Sequence, residues 1–546
     1  MIKQAGVLLS VSSLPSQEGI GTLGEGAYSF VDFLSSAGFG VWQVLPLTPT
    51  REGNSPYSSV CAGALNPLFI DLYDLVKRGL LKEKEIDFQK TEKVDYASLI
   101  PQKQRLLRLA FSRFDRTDKD FIAFEKRGEY WEYAAFSTLS EAFGNKPFTE
   151  WGDGYSVYIR TRTQSFLKAH NESYLFYLFT QYLFEKQWQA LKAYANERGV
   201  KIFGDMPIYV AMNSAEVYFH PELFLFEEGK PKKVAGVPPD YFNSEGQRWG
   251  NPLYDWEKMK ESEYDWWRKR ILRELTRFDI LRIDHFRGLD RFYAIDADAE
   301  DAKHGTWMPG PGADLFSGMT QLPIVAEDLG YIDESLRATL QAVGFPGMKV
   351  YEFGLDADPW SEHKPANYKE NVVGYTGTHD NMPFRGFLDE AEGNDRIAAV
   401  KSILVQATVL GAPIPSTLFE KAKKVPDCES EEVLAARLIL PFPEDPFLQK
   451  QEMQTRVDLI EGAKGEYISQ ANNADLTRIA CATLLLSKAR LVMFPMQDVL
   501  CLGAESRMNT PALVSNENWA WRLNEASLTP ALASRIKQAL QGANRV

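Results

Sequence analysis

Eight short apolar runs, each only long enough for one buried strand, constrain the fold of this chain more than any other feature. They fall at 6–11, 41–47, 201–208, 281–286, 323–327, 348–353, 372–377 and 491–496. Most are near-continuous rather than alternating, and helix-like stretches separate most of them. Strands apolar on both faces belong to a parallel sheet covered by helices, because only there does neither face meet water. The first unit shows the pattern in miniature. Gly6 to Val11 reads as a strand, Tyr28 to Ala37 as an amphipathic helix closed by Gly38, and Val41 to Leu47 as the next strand. Eight such βα units predict an α/β fold, a (β/α)8 TIM barrel. A doubly wound open sheet is the alternative, but no GxGxxG follows the first strand.

At 546 residues the chain exceeds what eight bare units need. Two stretches take up the difference. Residues 71–199 carry helical apolar spacing, as in Leu106 to Phe111 and Tyr174 to Phe184. Residues 389–472 are mainly helical, with proline-rich patches. The expected organisation is therefore a barrel from 1–70, 200–388 and 473–546, with helical insertions at 71–199 and 389–472. Val234 to Asp255 is read as a long irregular loop whose aromatic content speaks against disorder. A Trp- and Arg-rich helix is expected over Asp265 to Arg277.

The net charge of −13 argues against nucleic acid or an anionic membrane as main partner. No apolar run reaches membrane-spanning length, and no secretory leader opens the sequence. Cys61, Cys428, Cys481 and Cys501 are scattered without CxxC spacing, which points to a reducing cytoplasm rather than a disulfide framework or zinc site.

Chemistry enters at the strand ends. In Leu281-Arg282-Ile283-Asp284-His285-Phe286-Arg287-Gly288, the two-residue period sets Arg282 and Asp284 on one face. A charge pair inside so short an apolar strand is costly unless it serves something. Asp205, Glu327 and Asp380 likewise lie at or near the C-terminal ends of three other strands. A barrel gathers its strand ends on one rim, so these four acids would share a pocket. Two reaction classes suit an acidic rim: glycosyl transfer by a carboxylate pair, and metal-assisted hydrolysis drawing on Asp284-His285 and His379-Asp380. Six histidines in all, none in an HxH pair, place the metal reading well below the glycosidic one.

The motifs Gly204-Asp205-Met206-Pro207-Ile208, Leu281 to Gly288, Ala326-Glu327-Asp328-Leu329-Gly330 and Thr378-His379-Asp380-Asn381 resemble, in order and spacing, the amylomaltase (disproportionating enzyme) family of 4-α-glucanotransferases in the α-amylase superfamily. Gly344-Phe345-Pro346-Gly347-Met348 and Asp498-Val499-Leu500 add to the likeness, which spans nearly the whole chain. The resemblance implies Asp284 as nucleophile, Glu327 as general acid/base and Asp380 as transition-state stabiliser. It also implies sugar contacts from Tyr57, Asp205, Trp249, Arg282, His285, His379 and Asn381, and a loop, Gly236 to Pro252, arching over the cleft. Trp519 and Arg507 are expected to be structural. Neither metal nor cofactor is implied. The partners would be α-1,4-glucans and maltooligosaccharides, acted on by a monomer or weak homo-oligomer. An α-1,4-glucan hydrolase shares the same first chemical step, and a catalytically silent glucan-binding barrel is the remaining alternative.

Overall fold

The computed structural model describes residues 3–51, 53–239, 244–420 and 429–545. Its centre is a closed parallel barrel of eight strands. They are β1 (Gln4–Leu8), β2 (Val41–Gln43), β3 (Lys201–Met206), β4 (Ile280–Ile283), β5 (Ile324–Ala326), β6 (Gly347–Val350), β7 (Val372–Tyr375) and β8 (Leu491–Pro495). Each pairs with the next in sequence, and β8 closes on β1 from Gln4 opposite Leu491 to Leu8 opposite Pro495. All eight expected strands are present. They are shorter than the apolar runs, because residues such as Val11, Leu45, Leu47 and Ile208 are buried beneath the rim loops without pairing. Apolarity reports burial, and pairing is only one way to be buried.

The barrel interior is filled by Val41, Phe203, Val325, Met348, Val350, Val373, Tyr375 and Met493. Outside, the helices Glu25–Ala37, Asp265–Arg277 and Glu334–Val343 connect successive strands. Glu25–Ala37 ends as its sequence suggests: Gly38 takes φ 83°, and its N–H caps the last turn through the Leu34 and Ser35 carbonyls. The helix expected at Asp265–Arg277 occupies those residues.

Between β2 and β3 the described residues are helical, with Tyr96–Arg113, Lys119–Arg127, Trp131–Ala142 and Asn171–Glu197 the main elements. The long Asn171–Glu197 helix serves two cores. Phe176, Phe179 and Tyr182 pack with Phe111, Phe114 and Phe121 of the helical segment. Further along, Trp188 packs edge-on to Phe278 beside the barrel and donates its indole N–H to the Arg277 carbonyl. The fully buried Lys103–Glu18 ion pair joins Tyr96–Arg113 to the loop after β1. After β7, Gly393–Leu410 and Pro446–Gly462 build a separate core that includes Val400, Ile403, Leu404 and Ile460.

The stretch read as an irregular loop, 234–255, is a correction. It contains two strands, Lys233–Val237 and Gln247–Pro252, in a four-stranded sheet with Arg291–Asp296 and Thr306–Pro309. A register shift between Val234 and Gly236 breaks the alternation, and one partner strand lies more than fifty residues away, so no local pattern reveals the pairing. Residues 240–243 of the expected arching loop, and Cys428, lie outside the described residues. Among the described residues, no helix is long and apolar enough to cross a membrane.

Gly204 shows how closely the barrel approaches its outer layer. A Cβ there would fall 2.1 Å from a ring carbon of Phe278. Gly204→Ala is expected to lose about 1–3 kcal/mol by overpacking, measured by urea unfolding, and Phe278→Leu should recover part of it. An unchanged midpoint in Gly204→Ala would contradict the tight contact.

Candidate active site

Parallel pairing of β3 with β4 sets Asp205 directly beside Arg282. The Arg282 guanidinium donates through Nη1 to both oxygens of Asp205, at 2.7 and 2.6 Å, and its Nη2 forms an ion pair with Asp284 Oδ1 at 2.8 Å. One cation thus holds two carboxylates. Asp205 is wholly enclosed, whereas the Asp284 side chain opens partly to the cleft. Asp205 also accepts a 2.7 Å bond from the Tyr57 hydroxyl. The Tyr57 ring stacks on His379, with centroids 5.0 Å apart and planes 13° from parallel, and Trp519 packs against both. His379 Nε2 lies 3.4 Å from Asp380 Oδ1. A continuous network therefore runs from Asp284 to Asp380 across the barrel mouth.

Glu327 follows β5, and its backbone N–H bonds to the Ile283 carbonyl of β4. Its carboxyl accepts from two backbone donors, His285 N–H at 2.7 Å and Leu329 N–H at 2.8 Å, which fix its direction. Burial pushes this carboxyl up to about 7; Arg282 and the two N–H bonds oppose the rise, and the Asp284 charge adds to it. Near neutral pH, Glu327 can therefore both give and take a proton.

His285 reaches that geometry through a left-handed backbone, φ 49°, unusual for a residue with a Cβ. Its ring meets Trp249 edge-on at 4.8 Å, and burial lowers its pKa to about 4, so the imidazole is neutral. Its Nε2 has no partner among the described residues.

Asp380 sits on the loop after β7. Its Oδ1 accepts from Asn509 Nδ2 at 2.6 Å, and its carbonyl accepts from Arg507 at 3.0 Å. Asn381 is used inside that loop: Oδ1 takes the Thr378 N–H and hydroxyl, and Nδ2 donates to Glu352 at 2.9 Å. Asp498 clamps both ends of the same loop, accepting from the Thr376 hydroxyl at 2.5 Å and from Phe384 N–H at 2.7 Å.

The structure thus brings all ten sequence-designated residues to one rim, but in two kinds of position. Tyr57, Trp249, His285 and His379 present rings, and Asp284, Glu327 and Asp380 present carboxyls. Asp205, Arg282 and Asn381 have polar atoms committed to protein partners, so here they support the site from beneath. Sequence reasoning missed Asn509 and Glu352. Burial raises the Glu352 carboxyl to about 8, and it braces the Asp380 loop through Asn381. Glu352 lies just past β6, a placement that could have flagged it, whereas Asn509 comes in the long segment after β8. Arg507, expected to be structural, fits that role through its bond to the Asp380 backbone. Among the described residues, no three His, Cys, Asp or Glu side chains converge as a metal cage; the acids are tied instead to arginine, asparagine and backbone donors.

A closed (β/α)8 barrel whose carboxyl rim pairs an arginine-held aspartate with a buried glutamic acid near neutrality defines the class of barrel enzymes that cut and remake glycosidic bonds. A sequence profile of the 4-alpha-glucanotransferase family matches residues 9–529. The 4-alpha-glucanotransferase of Thermus thermophilus is 37% identical over 99% of both chains, and that of Synechocystis sp. 35% identical over 97% of this chain and 96% of its own. The amylomaltase of Streptococcus agalactiae, solved in complex with acarbose, superposes with TM-score 0.82 at 34% identity, covering 100% of this chain and 99% of that one. The chain belongs to the 4-alpha-glucanotransferase family.

Arg282 is the buried counter-ion on which two acids depend. Arg282→Met should cost about 3–5 kcal/mol, because Asp205 is then left buried without its counter-ion. Arg282→Met combined with Asp205→Asn should recover much of the loss in urea unfolding. Equal stability of Arg282→Met and the parent chain would contradict this reading.

Proposed function

We propose that the protein is a retaining 4-α-glucanotransferase, moving segments of α-1,4-glucan between maltooligosaccharides or to glucose. The observation that carries the reading is the pairing of Asp284, held by Arg282 at 2.8 Å, with a buried Glu327 poised near neutrality. Asp284 attacks the anomeric carbon of the donor while Glu327 gives its proton to the departing glycosidic oxygen. The reducing-end fragment leaves, and the donor remainder is esterified to Asp284. The 4-hydroxyl of an incoming sugar then attacks that carbon, Glu327 takes its proton, and Asp284 departs as carboxylate. Two inversions give net retention. Asp380, braced by Asn509, is placed to accept sugar hydroxyl bonds and favour the distorted ring of the oxocarbenium-like transition state. Such a pair works with its carboxyls about 5–5.5 Å apart. Neutral His285, together with His379, lines the same cleft as a hydroxyl partner, and the rings of Tyr57 and Trp249 offer apolar faces for sugar. No metal or cofactor takes part in this scheme.

The same reading takes α-1,4-glucans as partners, a monomer or weak homo-oligomer as working form, and the cytoplasm as location. The helical stretches 71–199 and 389–472 are taken as insertions into the barrel.

Incubation with maltotriose tests the reaction. Free glucose together with a ladder of longer maltooligosaccharides is expected; only shorter sugars with rising reducing ends would assign hydrolysis. Glu327→Gln and Asp284→Asn should each lower turnover by at least about 10³-fold while maltooligosaccharide binding persists in calorimetry. Unchanged turnover in either would overturn the assignment, and binding without turnover in the parent chain would mark a silent glucan-binding barrel. Because the protonated form of Glu327 is the acid, kcat/KM should fall as pH rises through about 7. A flat profile from pH 6 to 9 would remove Glu327 from that role.

A further inference from the structure

Large aromatic rings are rarely left in water without a use, since each exposes apolar area that could have been buried. Among the described residues, four aromatic side chains stand out as exposed: Trp249 at 38%, Phe447 at 69%, Tyr331 at 75% and Trp360 at 84%. Phe447 lies in the second helical segment. The other three lie in the segments that follow barrel strands β3, β5 and β6. Trp249 already lines the cleft beside His285. Tyr331 and Trp360 have no part in the site described above.

Their surroundings fit a sugar-binding surface better than a misplaced core. Tyr331 stands four residues beyond Glu327. The Arg287 guanidinium lies 5.8 Å from its ring centroid, is sandwiched against Trp307 at 4.4 Å, and is held by Asp333 at 2.8 Å. Arg287 is itself buried, and its Nε and Nη1 have no partner among the described residues. Trp360 rides a pinned loop: Asn367 donates to the carbonyls on either side of it, Pro359 at 2.9 Å and Ser361 at 3.0 Å. The two loops follow neighbouring strands and are joined by Arg337, in the helix after Tyr331, bonded to Glu362 at 2.9 Å. Preorganised rings flanked by charged hydrogen-bonding groups suit a ligand with flat apolar faces and hydroxyl edges, which describes a glucosyl chain. Lipid or peptide partners would call for contiguous aliphatic surface, and here Asp356, Asp358, Ser361 and Glu362 flank Trp360 in the chain while Arg287 and its partner Asp333 lie beside Tyr331.

We propose that Tyr331 and Trp360 form an accessory glucan-binding surface on the linked segments that follow β5 and β6, engaging units of long α-1,4-glucans outside those held at the reacting bond. It rests on the substrate class argued under Proposed function. It gives the enzyme a preference for long chains that a maltotriose assay does not register.

The test compares Tyr331→Ala/Trp360→Ala with Tyr331→Phe/Trp360→Phe. The alanine pair should keep parental maltotriose disproportionation while kcat/KM for long amylose falls about tenfold. Its retardation in native gels containing glycogen should be lost. The phenylalanine pair, which keeps flat rings, should retain most of both. Parental retardation and an unchanged long-to-short ratio in the alanine pair would overturn the proposal. So would a parallel fall on maltotriose, which would put the rings in the core site, or loss of self-association in sedimentation with glucan binding intact, which would assign them to a contact between copies. Gel retardation is read without turnover, so a parent chain that failed to transfer glucan would defeat the functional reading and still leave this surface scored.

Discussion

The active rim depends on one guanidinium. Arg282 lies between Asp205 and Asp284 inside a barrel whose walls are otherwise Val, Phe, Met and Tyr. Burying Arg282 and Asp205 as ions costs several kcal/mol each unless they satisfy one another. Here the planar fork of arginine meets two carboxylates at once, which a lysine could not reproduce. Register makes this possible. Because Asp205 lies opposite Arg282 across the β3–β4 pairing, the bond forms without strain at either strand. From Asp205 the network passes through Tyr57 to His379 and on to Asp380, so the position of the cation sets the geometry of acids contributed by β3, β4 and the loop after β7.

Glu327 obeys the opposite logic. Asp284 is held by a cationic partner at 2.8 Å, whereas Glu327 is raised to about 7 by burial, against the pull of Arg282 and two backbone N–H groups. One of those N–H groups belongs to His285, whose left-handed backbone carries the chain from β4 toward Glu327. Strain of this kind persists only where the surroundings impose it, and here Trp249 and the β4–β5 pairing do so. Two carboxyls that directly follow adjacent strands thus have different surroundings, one against a guanidinium and the other enclosed among backbone donors.

The loop bearing Asp380 is held from outside its own strand. Asp498, after β8, clamps Thr376 and Phe384, while Asn509 and Arg507 reach back to Asp380 itself. The motif around Asp498, noticed in the sequence only as part of a resemblance, has a physical purpose in closing this loop. Glu352 adds a brace through Asn381. Residues far along the chain therefore position a group they do not adjoin in sequence.

Burial and strand-end placement were legible in the sequence. Near-continuous apolar runs marked eight barrel strands, the two-residue period put Arg282 and Asp284 on one face, and acids at strand ends foretold a shared rim, because period and burial are local properties of a chain. Strand ends were overestimated, since apolar loop residues such as Leu45 and Ile208 are buried without pairing. The sheet built from 233–237, 247–252, 291–296 and 306–309 was illegible, because its register shift hides the alternation and its partners are distant. The sequence by itself determined which acids would meet. Only the tertiary structure decided the surroundings of each acid: Asp205 enclosed against Arg282 and Tyr57, Asp284 held by Arg282 and partly open, Glu327 buried and raised to about 7. Charge state depends on burial and on partners from other strands, and neither is encoded in any single segment.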